Sequence, residues 1–113
     1  MMGRTMVNID SPVLKGTSGV LLINGREAAR KPVRNCIRCS KCVSVCPMGL
    51  EPYLLAKLST FNLLERLEEE KVMDCIECGS CQFTCPAYRP LLDYCRLGKA
   101  KVGAMIRARQ AKK

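Results

Sequence analysis

One pattern of cysteines occurs twice in this chain and limits what the chain can fold around. The run Cys-x2-Cys-x2-Cys-x3-Cys-Pro occupies residues 36–47 and repeats 39 residues later, at residues 75–86; the two runs hold eight of the nine cysteines. Three cysteines at gaps of two residues let the backbone wrap around one cluster of metal ions. The fourth points away, and the proline turns the chain aside. The duplicated run therefore predicts cysteine ligation of iron–sulfur clusters.

Composition agrees with a metal-stabilised fold. The chain has 113 residues with two Phe, three Tyr and no Trp, so an apolar core alone would be thin. Disulfides would be an alternative in a secreted protein, but the N-terminus shows no apolar signal segment and the aliphatic run 20–23 is too short to span a bilayer. Zinc would be another alternative, but structural zinc sites use separated cysteine pairs, often with histidine, and the chain has no histidine.

The pattern also predicts which cysteines share a cluster. In ferredoxins with two clusters, the fourth cysteine of each run ligates the cluster of the other run. We therefore expect two [4Fe–4S] clusters. Cluster I is expected to bind Cys36, Cys39, Cys42 and Cys85, and cluster II to bind Cys75, Cys78, Cys81 and Cys46. Cys95 is left over and is interpreted as a small apolar residue of the last helix.

No catalytic constellation accompanies the cysteines. The chain has no histidine, no serine paired with a base and no glycine-rich dinucleotide loop, and the segment 15–19 lacks the order of a phosphate loop. We therefore predict no catalytic residues and no cofactor-binding residues beyond the cluster ligands. The expected chemistry is the transfer of single electrons.

Helices are predicted on both sides of the second cysteine run. Pro52 suits the first turn of one helix, and Asn62 with Glu65 resembles the capping box of another. Pro90 suits the first turn of a final basic helix, whose apolar stripe is Leu91, Cys95, Val102, Met105 and Ile106. Before the first cysteine run, residues 5–9 and 19–23 are predicted to be short strands. The expected fold is mostly α, with a short β-strand remnant in front.

Charge gives weaker information. The formal net charge is +9, and a basic surface attracts nucleic acid, anionic lipid or an acidic protein without choosing among them.

The two cysteine runs differ in local charge: Arg38 and Lys41 lie in the first run, whereas Asp74 and Glu77 lie at the second. Because a reduced cluster has one more negative charge, we expect cluster I to have the higher reduction potential.

Several segments together resemble a known family. The runs 36–39, 74–81 and 90–91 resemble the C-terminal dicluster region of the RnfC family, whose members belong to the Rnf electron-transport complex. The segments 1–4 and 12–20 resemble the end of the soluble-ligand-binding β-grasp domain of that family. The division implied is residues 1–30 as a β-grasp remnant, 31–95 as an α-helical dicluster ferredoxin domain and 96–113 as a basic helix or tail.

The resemblance implies a peripheral protein on the cytoplasmic face of a bacterial inner membrane. It would belong to an ion-translocating ferredoxin:NAD oxidoreductase and bind other subunits of that complex, including a ferredoxin-like subunit and membrane subunits. The resemblance further implies that the flavin- and NADH-binding part of the family lies upstream of the segments seen here, so no NADH binding is expected of this chain. One alternative is an iron–sulfur subunit of another respiratory or heterodisulfide-type reductase. A second alternative is a basic, metal-stabilised nucleic-acid-binding module. The Lys and Arg residues are dispersed and aromatic residues for base stacking are scarce, so we expect no nucleic-acid partner.

Overall fold

Helices are the only regular secondary structure in the described part of the chain. The structure, a computed structural model, describes residues 8–17, 19–29 and 31–112, and these contain helices and turns but no strand. The helices are α1 (Gly25–Ala28), α2 (Lys41–Ser44), α3 (Pro52–Thr60), α4 (Leu64–Glu69), a 3-10 helix (Val72–Asp74), α5 (Ser80–Phe83) and α6 (Leu91–Ala111). The prediction of a mostly α fold is confirmed.

Helix α6 is the element against which the rest of the domain packs. It contacts α3, α4, α5 and the 3-10 helix. The predicted stripe is confirmed, because Leu91, Cys95 and Val102 are buried while Met105 and Ile106 pack against the core. The core also contains Leu50, Leu55, Leu58, Leu67 and Val72.

Gly98 lets α6 approach α3 closely. The sequence suggests only that a glycine here weakens the helix, but a Cβ built on Gly98 would collide with Ser59 Oγ on α3 and lie 3.4 Å from Leu67 Cδ1 on α4. Ser59 is buried, and its hydroxyl has no hydrogen-bond partner among the described residues. Steric fit therefore keeps position 98 small.

The predicted cap of α4 is wrong. Asn62 has a left-handed backbone with φ of 55°, and the helix begins at Leu64 without a side-chain cap. The connection from α3 is short, and the Leu63 N–H donates a hydrogen bond to the Leu58 carbonyl at 3.1 Å, so that α4 begins only after Leu63. The side chain of Asn62 instead accepts a hydrogen bond from Lys101 on α6.

The predicted β-strand remnant is wrong for the residues that the structure describes. Residues 19–23 form no regular structure, and Val20, Leu21, Leu22 and Ile23 are 59% to 99% exposed. A strand needs a hydrogen-bonding neighbour and a face to bury, and the described residues offer this segment neither. Asn24, which follows this segment, caps α1 by accepting from the Arg26 N–H at 3.2 Å. Of the other predicted strand, residues 5–7 lie outside the described residues.

Candidate metal centres

The two cysteine runs share one backbone geometry. Three positions in or just after the first run have positive φ, and the residues 39 positions later do too. The pairs are Arg38 and Glu77 (54° and 58°), Ser40 and Gly79 (58° and 81°), and Gly49 and Tyr88 (64° and 52°). Holding a non-glycine residue in this region costs about 1–3 kcal/mol. The duplication in sequence is therefore also a duplication of backbone bends, of the kind needed to curve a chain around a central group.

Hydrogen bonds repeat between the runs as well. The third cysteine of each run lies in a short helix, Cys42 in α2 and Cys81 in α5. The carbonyl of the fourth cysteine then accepts the N–H three residues later, from Gly49 to Cys46 and from Tyr88 to Cys85, at 3.1 Å in both cases. These turns fix where the fourth cysteine of each run lies.

The repeat extends into the helices that follow. Pro52, the first residue of α3, is 39 positions before Leu91, the first residue of α6. The sequences of the two helices do not reveal this, since residues 52–60 read PYLLAKLST and residues 91–99 read LLDYCRLGK. The sequence predicts a helix after each cysteine run, but only the structure shows that the two helices begin at equivalent positions.

The cysteines line two separate cavities. Cavity I is bordered by Cys36, Cys39, Cys42 and Cys85 and has about 1570 Å³ of space, part of it open solvent. Cavity II is bordered by Cys46, Cys75, Cys78 and Cys81 and has about 380 Å³. Three cysteines of each set come from one run and the fourth from the other. The ligand sets stay a prediction, and the four cysteines of each predicted set border the same cavity.

The donor set fits an iron–sulfur cluster, which four cysteine thiolates hold. The nine cysteines all lie in the described part of the chain, and none is paired in a disulfide there. Within residues 8–17, 19–29 and 31–112, no three Cys, His, Asp or Glu side chains converge closely enough to hold a single metal ion. Each set of four thiols borders one cavity, and four cysteine sulfurs are the donor set of such a cluster.

The two cavities differ in exposure. In cavity I, Cys36 and Cys39 are exposed, and the aromatic neighbours Tyr53 and Phe61 are also exposed. In cavity II all four cysteines are partly buried, and the wall includes the core residues Leu50, Leu55 and Cys95.

Only some of the apolar side chains within the two cysteine runs border the cavities. Ile37 borders cavity I, and its equivalent Ile76 borders cavity II. Val43, Val45 and Phe83 border neither, and Phe83 is 95% exposed.

The start of α6 separates the two cavities. Leu91 borders cavity I, whereas the next residue, Leu92, borders cavity II. The Leu92 N–H donates to Gln82 Oε1 at 3.1 Å, which ties α6 to α5. Sequence reasoning missed Gln82, which stands between two ligand cysteines without a motif of its own.

Charges around cavity II are balanced by α6. Glu77 accepts from Arg96 Nε at 2.9 Å and lies 3.5 Å from Lys99 Nζ, which also donates to the Cys75 carbonyl at 2.7 Å. Burial raises the pKa of Glu77, but these cations outweigh it and the pKa is lowered overall. The expected difference in potential between the clusters stays a prediction, and the carboxylate on which it partly depends is paired. Arg96 and Lys99 are one helical turn apart, but the sequence does not show that this face of α6 lies over the second cysteine run.

The thiols of cavity II have unequal proton affinities. A hydrogen bond with Cys95 lowers the pKa of Cys75 to about 6, although burial opposes this. The Ser80 hydroxyl, 3.5 Å from Cys78 Sγ, lowers the pKa of Cys78. Burial raises the pKa of Cys81 to about 11, and burial also raises that of Cys42 in cavity I. Ligation at neutral pH must therefore displace protons from some of these thiols.

Comparison with known proteins agrees with this geometry. The family model of the 4Fe-4S dicluster domain matches residues 28–86, which is more than half of the chain and includes all eight cysteines of the two cavities. The chain belongs to this family. The prediction of two [4Fe–4S] clusters is thereby confirmed at the level of the family. The family match ends before Cys95 and α6.

Relatives of this dicluster domain occur within larger proteins. Over 95% of its length the chain is 47% identical to a component of the Na(+)-translocating ferredoxin:NAD(+) oxidoreductase complex of Acetobacterium woodii, and it covers 24% of that protein. It is 41% identical, over 99% of its length, to a component of the proton-translocating ferredoxin:NAD(+) oxidoreductase complex of Clostridium ljungdahlii, covering 25%. Against a component of the ion-translocating oxidoreductase complex of Methanosarcina acetivorans the identity is 39%, over 90% of the chain and 23% of that protein.

All three relatives are the RnfC-type component of their complexes. The resemblance to the RnfC family is therefore confirmed, and the chain spans about a quarter of the length of these relatives. No helix in the described residues is long and apolar enough to cross a membrane.

Proposed function

We propose that this chain relays single electrons through two [4Fe–4S] clusters within an ion-translocating ferredoxin:NAD oxidoreductase of the Rnf type. The observation that supports this most directly is the pair of cavities, each bordered by four thiols drawn from both cysteine runs. Similarity to the RnfC-type component of three such complexes supports the assignment to an Rnf-type assembly.

The ligand assignment follows the lining of the cavities. Cluster I takes Cys36, Cys39, Cys42 and Cys85, and cluster II takes Cys75, Cys78, Cys81 and Cys46. When bound, each cluster accepts and releases one electron. The protein residues hold the clusters in place and tune them: the Ser80 hydroxyl lies near the Cys78 sulfur, and the Tyr53 N–H hydrogen-bonds to Cys42.

Exposure suggests where electrons enter or leave this domain. Cys36 and Cys39 are exposed in cavity I, whereas the cysteines of cavity II are partly buried against the core. Electron transfer between proteins requires close approach of the two redox centres. We therefore assign exchange with an external partner to cluster I and transfer within the domain to cluster II.

The cellular setting is proposed from the relatives. The chain would be part of a peripheral protein on the cytoplasmic face of a bacterial inner membrane, and it would contact a ferredoxin-like subunit and membrane subunits of the complex. The division of the chain into a β-grasp remnant, a dicluster domain and a basic tail, with boundaries at residues 30/31 and 95/96, stays a prediction. The coupling ion does not follow from similarity, since one relative is named for sodium and another for protons.

The ligand assignment is tested with two matched pairs of variants. Anaerobically reconstituted protein should contain about eight irons and eight sulfides, with EPR signals of two clusters after reduction. In Cys46→Ala the lost signal should be the one also lost in Cys75→Ala. In Cys85→Ala it should be the one lost in Cys36→Ala. If Cys46→Ala and Cys36→Ala lost the same signal, each run would hold its own cluster and the assignment would be wrong.

The function is tested by electron transfer itself. Reduced ferredoxin should reduce the reconstituted chain, and the reduced chain should reoxidise with an added acceptor without consuming the clusters. Colourless protein after anaerobic reconstitution, or protein containing zinc, would contradict the proposal. Tight DNA binding that weakens steeply with salt would favour a nucleic-acid-binding module instead.

A further inference from the structure

Cavity II contains a fifth cysteine that no cluster needs. Cys95 is 2% exposed, lies on α6 and borders the cavity together with Cys46, Cys75, Cys78 and Cys81. Each cluster of this type is held by four thiolates, so the fifth sulfur has another role.

Cavity I provides an internal comparison. Because α3 and α6 begin 39 positions apart, the residue equivalent to Cys95 is Ala56, which is also fully buried. Alanine offers a methyl group and no hydrogen-bond donor. The residues that border cavity I, all within the described part of the chain, include only the four ligand cysteines. The fifth sulfur is therefore specific to cluster II.

The neighbour of Cys95 is the ligand Cys75. Both sulfurs border cavity II, Cys75 packs against the core cluster that contains Cys95, and their side chains are hydrogen-bonded. As a cluster ligand Cys75 is a thiolate, whereas Cys95 ligates no metal and keeps its S–H. A thiol S–H is a weak donor, and a thiolate sulfur is its acceptor.

We propose that Cys95 donates its S–H to the Sγ of Cys75 and thereby raises the reduction potential of cluster II. Hydrogen bonds to ligand sulfurs are among the factors that set the potential of such clusters. A donor favours the reduced state, because the sulfurs of a reduced cluster hold more negative charge. The inference rests on the proposed ligand set of cluster II.

Three variants of the reconstituted chain test this role. Cys95→Ala removes the donor, Cys95→Ser replaces it with a hydroxyl, and Val102→Ala truncates an equally buried residue of the same helix that does not border cavity II. The readouts are iron and sulfide content and the potential of each cluster by potentiometric EPR titration, with signals assigned from the ligand variants.

We expect Cys95→Ala to keep about eight irons and to shift the one-electron equilibrium of cluster II toward the oxidised form. The shift should be up to tenfold, which corresponds to about 59 mV toward more negative potential. Cys95→Ser should recover part of it. Cluster I in all variants, and both clusters in Val102→Ala, should stay within error of wild type.

Two results would overturn the inference while leaving the proposed function intact. An unchanged cluster II potential in Cys95→Ala would make Cys95 a packing residue only. Loss of cluster II iron in Cys95→Ala, with cluster II retained in Cys75→Ala, would make Cys95 the ligand and Cys75 the spare sulfur. If wild type bound no second cluster, the proposed function itself would fail.

Discussion

Replacing Gly98 with alanine tests the packing that holds α6 beside the clusters. On helix propensity alone, alanine should stabilise α6 by about 1 kcal/mol. The new Cβ would, however, collide with Ser59 Oγ and touch Leu67, and overpacking of this kind costs about 1–3 kcal/mol. The two effects sum to a net loss of up to about 2 kcal/mol.

Gly103 is a matched control on the same helix. A Cβ there would lie 3.6 Å from the Arg107 side chain and 3.9 Å from Met73 Cε, which are ordinary contacts. Gly103→Ala should therefore stabilise by about the propensity difference, ~1 kcal/mol. Replacing glycine with alanine changes the helix propensity equally at both positions. A difference in stability between the two variants therefore measures the steric cost of the close approach of α6 to α3.

The assay is the anaerobic loss of cluster absorbance in guanidinium chloride. A rate is appropriate because loss of the clusters makes unfolding irreversible. Gly98→Ala should lose absorbance faster, by up to about thirtyfold if the contact is absent in the transition state, and Gly103→Ala more slowly. Adding Ser59→Ala to Gly98→Ala should restore most of the rate, because the colliding oxygen is removed. The reasoning is refuted if Gly98→Ala slows the loss as Gly103→Ala does, or if Ser59→Ala gives no recovery.

Three further outcomes follow from the site. Glu77→Gln leaves Arg96 and Lys99 unopposed, so the cluster II potential should rise in an EPR titration while the exposed control Glu69→Gln leaves it unchanged; a fall would contradict the charge argument. Removal of iron should abolish the protection of backbone amides against hydrogen exchange in α2 and α5, because helices of four residues are too short to persist alone, and should leave α6 protected. Equal loss of protection in all three helices would argue against a helical core that is independent of metal. The rate of reduction by an acidic ferredoxin should fall as salt is raised, since the chain is basic; a salt-independent rate would exclude electrostatic docking.

The sequence predicted best what depends on local spacing. The proline at the start of α3 and the buried stripe of α6 follow from short-range patterns, and the structure contains both. The division of eight cysteines into two ligand sets also follows from spacing, and it stays a prediction although each set borders one cavity. The strand predicted at residues 19–23 failed because an apolar run becomes a strand only when a neighbour supplies hydrogen bonds and cover.

Long-range contacts were beyond prediction for a different reason. Asn62 fits a cap by sequence, but the short connection from α3 holds it in a left-handed conformation next to Lys101. The pairing of Glu77 with Arg96 depends on how α6 lies over the second cysteine run, which no spacing within either segment encodes. The equivalence of α3 and α6 was hidden because it is a property of the backbone and not of the residue types.

Helix α6 also joins distant parts of the domain mechanically. Its 21 residues span about 32 Å, with Leu91 and Leu92 between the two cavities at one end and Arg109 bound to Glu68 at 2.7 Å near the other. A helix is stiff along its axis, so a displacement of its last turn is transmitted to its first turn. A partner that binds the basic C-terminal end of α6 therefore also affects the position of Leu91 and Leu92 between the two redox centres.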